Sequence, residues 1–180
     1  MFKKHLVLLL LAITLPIHAQ ATDRYGLGRT PTAEEIKQWD IDIMPDGKQL
    51  PSGSGTVDEG RLVYQEKCLS CHGEEGQGGV NDKLVGIDQP ETDFATDMQV
   101  VRTIGNYWPY ATTLYDYIYR AMPHTSPGSL ETDEVYSLVA YLLYLNGIID
   151  KEKEMNPATL PEVQMPANHR FYWSDEVSKE

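Results

Sequence analysis

Cys68-Leu69-Ser70-Cys71-His72 decides how this chain is read. Two cysteines separated by two residues, with a histidine directly after the second, form C-x-x-C-H, the covalent attachment motif of c-type haem. The spacing has a mechanical reason. Two thiols add to the two vinyl groups of one porphyrin, and the next residue places an imidazole below the iron. Cys68 and Cys71 are the expected attachment points and His72 the expected proximal ligand. Other uses of the motif fit less well. A thioredoxin-type pair belongs in a βαβ setting, and no strand pattern surrounds residue 68. A zinc site needs two further ligands, and His124 and His169 make a poor pair by spacing. With 2 cysteines in 180 residues, a disulfide scaffold is excluded.

A second axial ligand should come from downstream. Met122 follows a helical pattern and precedes Pro123, so the chain leaves the helix there and holds the thioether on a loop. Met165-Pro166 repeats the dipeptide but lies in a polar tail. His124, two residues after Met122, is a further alternative, because bis-His ligation is also haem chemistry.

The start of the chain gives an address. Met1-Phe2-Lys3-Lys4, an apolar stretch from Leu6 to Leu15 and the exit Ala19-Gln20-Ala21 read as a secretory signal peptide over residues 1–21, cleaved near Ala21. The apolar run falls short of the ~20 residues that span a bilayer. The mature chain is expected in the periplasm, with no membrane span. A formal charge of -12 removes the basic stripe that a nucleic-acid surface needs. It also suggests salt-dependent docking on a partner with a basic or apolar face.

Outward from the motif, residues 22–55 form an N-terminal extension. Thr32-Ala-Glu-Glu35 is a capping box for a short helix from Ala33 to about Trp39, and Pro51-Ser-Gly-Ser-Gly55 reads as a flexible link. Thr56-Val-Asp-Glu59 caps a second helix running toward Cys68. Gly60 inside it costs ~1 kcal/mol relative to Ala, which a close helix crossing would justify. The glycines from Gly73 to Gly79 suggest a tight wrap beside the haem edge. Val100, Val101 and Ile104 suggest a short helix ending near Gly105. Thr113 is a candidate cap for a helix over residues 114–121. Thr132 is the candidate cap of a longer helix whose face is Val135, Leu138, Val139, Leu142 and Leu143, closed by Asn146-Gly147. Residues 149–180 read as a polar tail along the surface. Trp108 and the nearby tyrosines are candidates for haem contact or for core and rim packing. Arg102 and Arg120 could pair with propionates.

The order of C-x-x-C-H, a downstream Met on a loop and an amphipathic last helix resembles a class I cytochrome c over residues 56–148. That likeness implies an all-α fold around one covalent haem c, with the last helix crossing the first. A narrower resemblance rests on Trp39-Asp-Ile-Asp-Ile-Met-Pro-Asp-Gly47, Thr103-Ile-Gly-Asn-Tyr-Trp-Pro-Tyr-Ala-Thr-Thr113, Arg120-Ala-Met-Pro123, Tyr141-Leu-Leu-Tyr-Leu-Asn-Gly147 and Leu160-Pro-Glu-Val-Gln-Met-Pro166. These resemble the cytochrome subunit of sulfur dehydrogenase (SoxCD type). The resemblance implies attachment at Cys68 and Cys71 and ligation by His72 and Met122. It also implies electrons received from a molybdenum dehydrogenase subunit that oxidises sulfite or carrier-bound sulfur, and passed to a downstream cytochrome or oxidase. Longer members carry a second haem module, whereas this chain has one C-x-x-C-H. The expected role is an electron-transfer subunit rather than a catalyst on its own. The alternative is a freely diffusing periplasmic shuttle to a terminal oxidase.

Overall fold

The computed structural model describes residues 25, 27–86 and 99–171. The signal-peptide reading of residues 1–21 lies outside them. Two compact units are present, residues 1–39 and 40–180. In the first, α1 (Ala33–Trp39) starts at the expected box. The Thr32 N–H donates to the Glu35 carboxylate at 2.8 Å, and Arg29 pairs with the same carboxylate. That pairing, with the Thr32 bond behind it, pulls the Glu35 carboxyl down to about 2.

The second unit is all helical among the described residues. It holds α2 (Val57–Lys67), α3 (Leu69–His72), α4 (Ile104–Tyr107), α5 (Ala111–Ala121) and α6 (Thr132–Leu145), then two 3-10 turns, Leu160–Glu162 and Asn168–Arg170. The α2 box is formed as expected, Thr56 on the Glu59 N–H and Glu59 on the Thr56 N–H. α2 crosses α6 at Gly60, where a Cβ would lie 1.8 Å from the Ser137 carbonyl oxygen. The helix-propensity penalty of Gly60 is therefore the condition for a backbone-to-backbone crossing. Around it pack Val57, Tyr64, Leu138, Val139 and Tyr141, while α5 adds Leu114, Tyr115 and Ile118.

Four local expectations are revised. α5 begins at Ala111, capped by Tyr110 rather than Thr113. Ala111 and Thr112 are buried, and the Thr112 hydroxyl donates to the Pro45 carbonyl at 3.1 Å, so tertiary contacts draw the helix start backward. The short α4 starts at Ile104 instead of ending beside it, because Thr103 and Asn106 form a reciprocal cap. α6 is capped by Glu131, whose N–H donates to the Glu134 carboxylate at 3.0 Å. Residues 51–55 are a packed strap, not a flexible link. The Tyr136 hydroxyl donates to the Pro51 carbonyl, the Ser54 N–H to Asp133, and Gly55 forms a two-bond bridge with Met155.

The tail also departs from expectation. Met155, Leu160, Met165 and Ala167 are buried, so residues 155–167 close the core rather than lie along the surface. Among the described residues no helix is long and apolar enough to cross a membrane.

Candidate haem-binding site

α2 ends at Cys68, and a single turn carries the motif onward. The N–H groups of Cys71 and His72 both donate to the Cys68 carbonyl, at 3.1 and 3.0 Å. Both cysteines are free and half-buried. Burial pushes the Cys68 thiol up to about 11, only partly offset by the Lys67 charge. The glycine-rich loop then folds back on the motif. The Gly78 N–H donates to the His72 carbonyl at 2.8 Å and the Asn81 N–H to the Cys71 carbonyl at 3.0 Å. At Gly79 a Cβ would stand 2.7 Å from the Cys71 carbonyl oxygen, so the wrap requires a residue without one.

The wrap fixes the histidine. His72 Nδ1 lies 2.8 Å from the Asp82 carbonyl oxygen. A carbonyl only accepts, so Nδ1 carries the proton and Nε2 keeps its lone pair for a metal. Carbonyl support of this kind orients a ligating imidazole and raises its donor strength.

Across from the motif, Leu114, Ile118 and Met122 recur at helical spacing on α5 and its end, so one face presents all three. Met122 caps α5, its N–H on the Ile118 carbonyl at 3.1 Å, and the chain turns away at Pro123. Leu138 and Leu142 of α6 supply a third wall. These elements enclose a cavity of about 560 Å³, lined by Cys68, Cys71, His72 and Met122 together with Trp108 and these apolar side chains. That volume is within the range of cofactor pockets. Two thiols, an imidazole with a free nitrogen and a thioether on one apolar cavity fit a covalently held haem.

The alternatives separate. Met165 is 4% exposed in the core and does not line the cavity. His124 does line it, from an exposed position. Arg102 lines the cavity with its guanidinium 4.9 Å from the Tyr107 ring centroid, whereas Arg120 is paired with Asp116 on α5. Of the aromatic stretch, Trp108 and Tyr117 reach the cavity, ring centroids 5.6 Å apart and edge-on. Tyr115 packs instead against Tyr136 at 4.5 Å. The contributions of Lys83, Leu84 and the Asp82 carbonyl were missed from sequence, because a loop peptide group carries no side-chain signal.

Comparison with known proteins agrees with this geometry. A family model described as cytochrome c oxidase, cbb3-type, subunit III matches residues 55–142. The chain is 28% identical over 129 residues to a thiosulfate dehydrogenase of Psychrobacter arcticus, a match covering 64% of this chain and 37% of that protein. It thus spans little more than a third of that relative's length. The crystal structure of the sulfane dehydrogenase SoxCD from Paracoccus pantotrophus superposes with a TM-score of 0.72 at 38% identity, covering 87% of this chain and 76% of the matched chain. A helical fold closed around a C-x-x-C-H cavity, and likeness at that level, place this chain in the c-type cytochrome family, as a class I member related to the haem subunit of sulfur dehydrogenases and carrying covalently bound haem c.

Proposed function

We propose that this chain is a mono-haem, periplasmic electron-transfer subunit that accepts single electrons from a molybdenum sulfur-compound dehydrogenase and passes them to a downstream cytochrome or oxidase. The observation that carries the reading is the convergence of Cys68, Cys71, His72 and Met122 on one apolar cavity. In it, Cys68 and Cys71 would provide the two thioether links to a haem c, and His72 and Met122 would ligate its iron. The bound haem supplies a reversible one-electron couple.

Each residue has a definite task. The Asp82 carbonyl holds the His72 proton on Nδ1. Met122, fixed by the end of α5, would supply a thioether to the iron and so keep oxygen or peroxide from it. Thioether ligation favours the ferrous state relative to a second imidazole. Leu114, Ile118, Leu138 and Leu142 keep water from the cavity, which works in the same direction. With the iron held by His72 and Met122, the chemistry left to the chain would be electron transfer rather than turnover of a small substrate. The likeness to SoxCD supports a molybdenum partner and a sulfur substrate.

The test is gentle isolation of the tagged holoprotein from its native periplasm. One haem per chain, a molybdenum protein in fixed stoichiometry and haem reduction on adding sulfite or sulfur-loaded carrier are expected. A lone cytochrome, inert to both but reduced by generic donors, would overturn the subunit role in favour of a diffusible shuttle. Met122→Ala should abolish the absorption band of Met ligation and open the iron to carbon monoxide. Retention of that band would exclude Met122.

A further inference from the structure

Asn146 stands at the C-terminal end of α6 and is 3% exposed. Closing a helix explains only one of its side-chain bonds, Nδ2 donating to the Leu142 carbonyl at 2.8 Å. The same Nδ2 also donates to the Leu84 carbonyl at 3.4 Å, and Oδ1 accepts from the Gly86 N–H at 3.0 Å. Two of its three bonds therefore hold a loop some sixty residues upstream. On the other side of that loop the Thr103 hydroxyl donates to the Gly86 carbonyl. Ahead of it, the Leu84 and Val85 N–H groups both donate to the Gly76 carbonyl, at 2.8 and 3.0 Å. Two residues before Leu84 is Asp82, whose carbonyl accepts from His72.

We propose that Asn146 is a positioning residue for the iron's histidine ligand: by clamping residues 84–86 to the end of α6, it holds the Asp82 carbonyl against His72 and so sets the haem potential. The proposal rests on His72 being an axial ligand. A firmly held Nδ1–H makes the imidazole a stronger donor and favours ferric iron. Losing the clamp lets the loop drift, weakens the bond from His72 and favours ferrous iron. The sign is thus fixed: variants at Asn146 raise the potential.

The experiment uses the holoprotein carrying Asn146→Ala, with the milder Asn146→Ser in parallel. The ferric/ferrous equilibrium is expected to shift about threefold toward ferrous, roughly 28 mV at 59 mV per tenfold for one electron. In ferric NMR spectra the His72 Nδ1 proton should exchange about tenfold faster. Tyr136→Phe is the structural control, since it removes a part-buried bond, to the Pro51 carbonyl, from the other end of α6. It should lower stability and leave the potential alone. Folded Asn146 variants with lowered stability but unchanged potential and exchange would reduce Asn146 to a helix cap and overturn the proposal. Absence of hyperfine-shifted His72 ring signals in the unmodified protein would instead overturn the ligand assignment beneath it.

Discussion

Gly60→Ala sets two effects of opposite sign against each other. In an exposed helix interior the change gains about 1 kcal/mol in helix propensity. At the α2–α6 crossing the added Cβ would sit 1.8 Å from the Ser137 carbonyl oxygen, 2.5 Å from its carbon and 2.8 Å from the Tyr141 Cβ. The nearest obstacle is backbone, which cannot turn aside as a side chain can. Restoring ordinary contact means parting the helices by roughly 1.5 Å, and a gap of 0.5–1 Å already forfeits a quarter to a half of the dispersion well. Tyr64, Leu138 and Tyr141 lose contacts together. Overpacking typically costs ~1–3 kcal/mol, occasionally more. With backbone as the obstacle, the upper end of that cost is expected, and the propensity gain of about 1 kcal/mol leaves a net loss of about 2 kcal/mol. The same displacement should disturb the cavity, because α2 ends at Lys67 beside Cys68 while Leu138 and Leu142 line the α6 wall. Urea unfolding of the holoprotein, followed by far-UV circular dichroism at equal haem content, measures the loss. A variant as stable as the parent, or more stable, would refute the tight crossing.

Three further outcomes are expected. The Tyr115 hydroxyl is buried without a hydrogen-bond partner among the described residues, and burial holds its ionisation well above the usual phenol range. Tyr115→Phe should therefore stabilise the protein by about 1 kcal/mol in the same unfolding assay; a loss would reveal a partner for the hydroxyl. The Asp116 carboxylate accepts from the buried Ile43 N–H and from Arg120 Nε, both at 3.0 Å. Asp116→Ala should cost about 2–3 kcal/mol, since it strands the Ile43 donor, and a thermal midpoint equal to the parent's would contradict this. Burial raises the Glu134 carboxyl, but the Lys67 bond at 2.5 Å and the Glu131 N–H outweigh it, leaving a net depression. That stabilisation is present above the ordinary value of 4.5 and is lost as pH falls through the depressed one. Lys67→Met should remove about 1 kcal/mol near neutrality and flatten the acid limb of the stability profile; an unchanged limb would show that the pair contributes nothing.

What could be read from the sequence follows from how far each signal reaches along the chain. The α2 start was legible because Thr56 and Glu59 cap each other within four residues. The face of α6 was legible from helical periodicity. Gly60 could be read as a crossing only in outline, since its partner Ser137 is a small polar residue with no pattern of its own. Thr113 and Thr132 read as caps for one shared reason: a hydroxyl before an apolar run also fits inside the first helical turn, where Thr113 is the third residue of α5 and Thr132 the first of α6. Burial of Thr112 and the carboxylate of Glu134 settled where those helices start.

The strap and the tail show the limit more sharply. Glycines and serines at residues 51–55 signal freedom in an isolated chain. Here their small size lets backbone approach α6, with a Cβ at Gly55 falling 2.2 Å from the Ser137 N. Gly55 in turn pairs with Met155, the first buried residue of a segment whose polar composition suggested surface. Met155, Leu160 and Met165 recur every five residues, a period that fits neither helix nor strand, so no amphipathic pattern betrays them. Yet the same packing takes Met165 away from the cavity. Met165 is packed in the core at 4% exposure and does not line the cavity, whereas Met122 and His124 do. The same Met-Pro dipeptide thus serves packing in one place and the haem cavity in the other. What differs is the preceding chain: a full helix ending beside the cavity at Met122, a single 3-10 turn leading into the core at Met165.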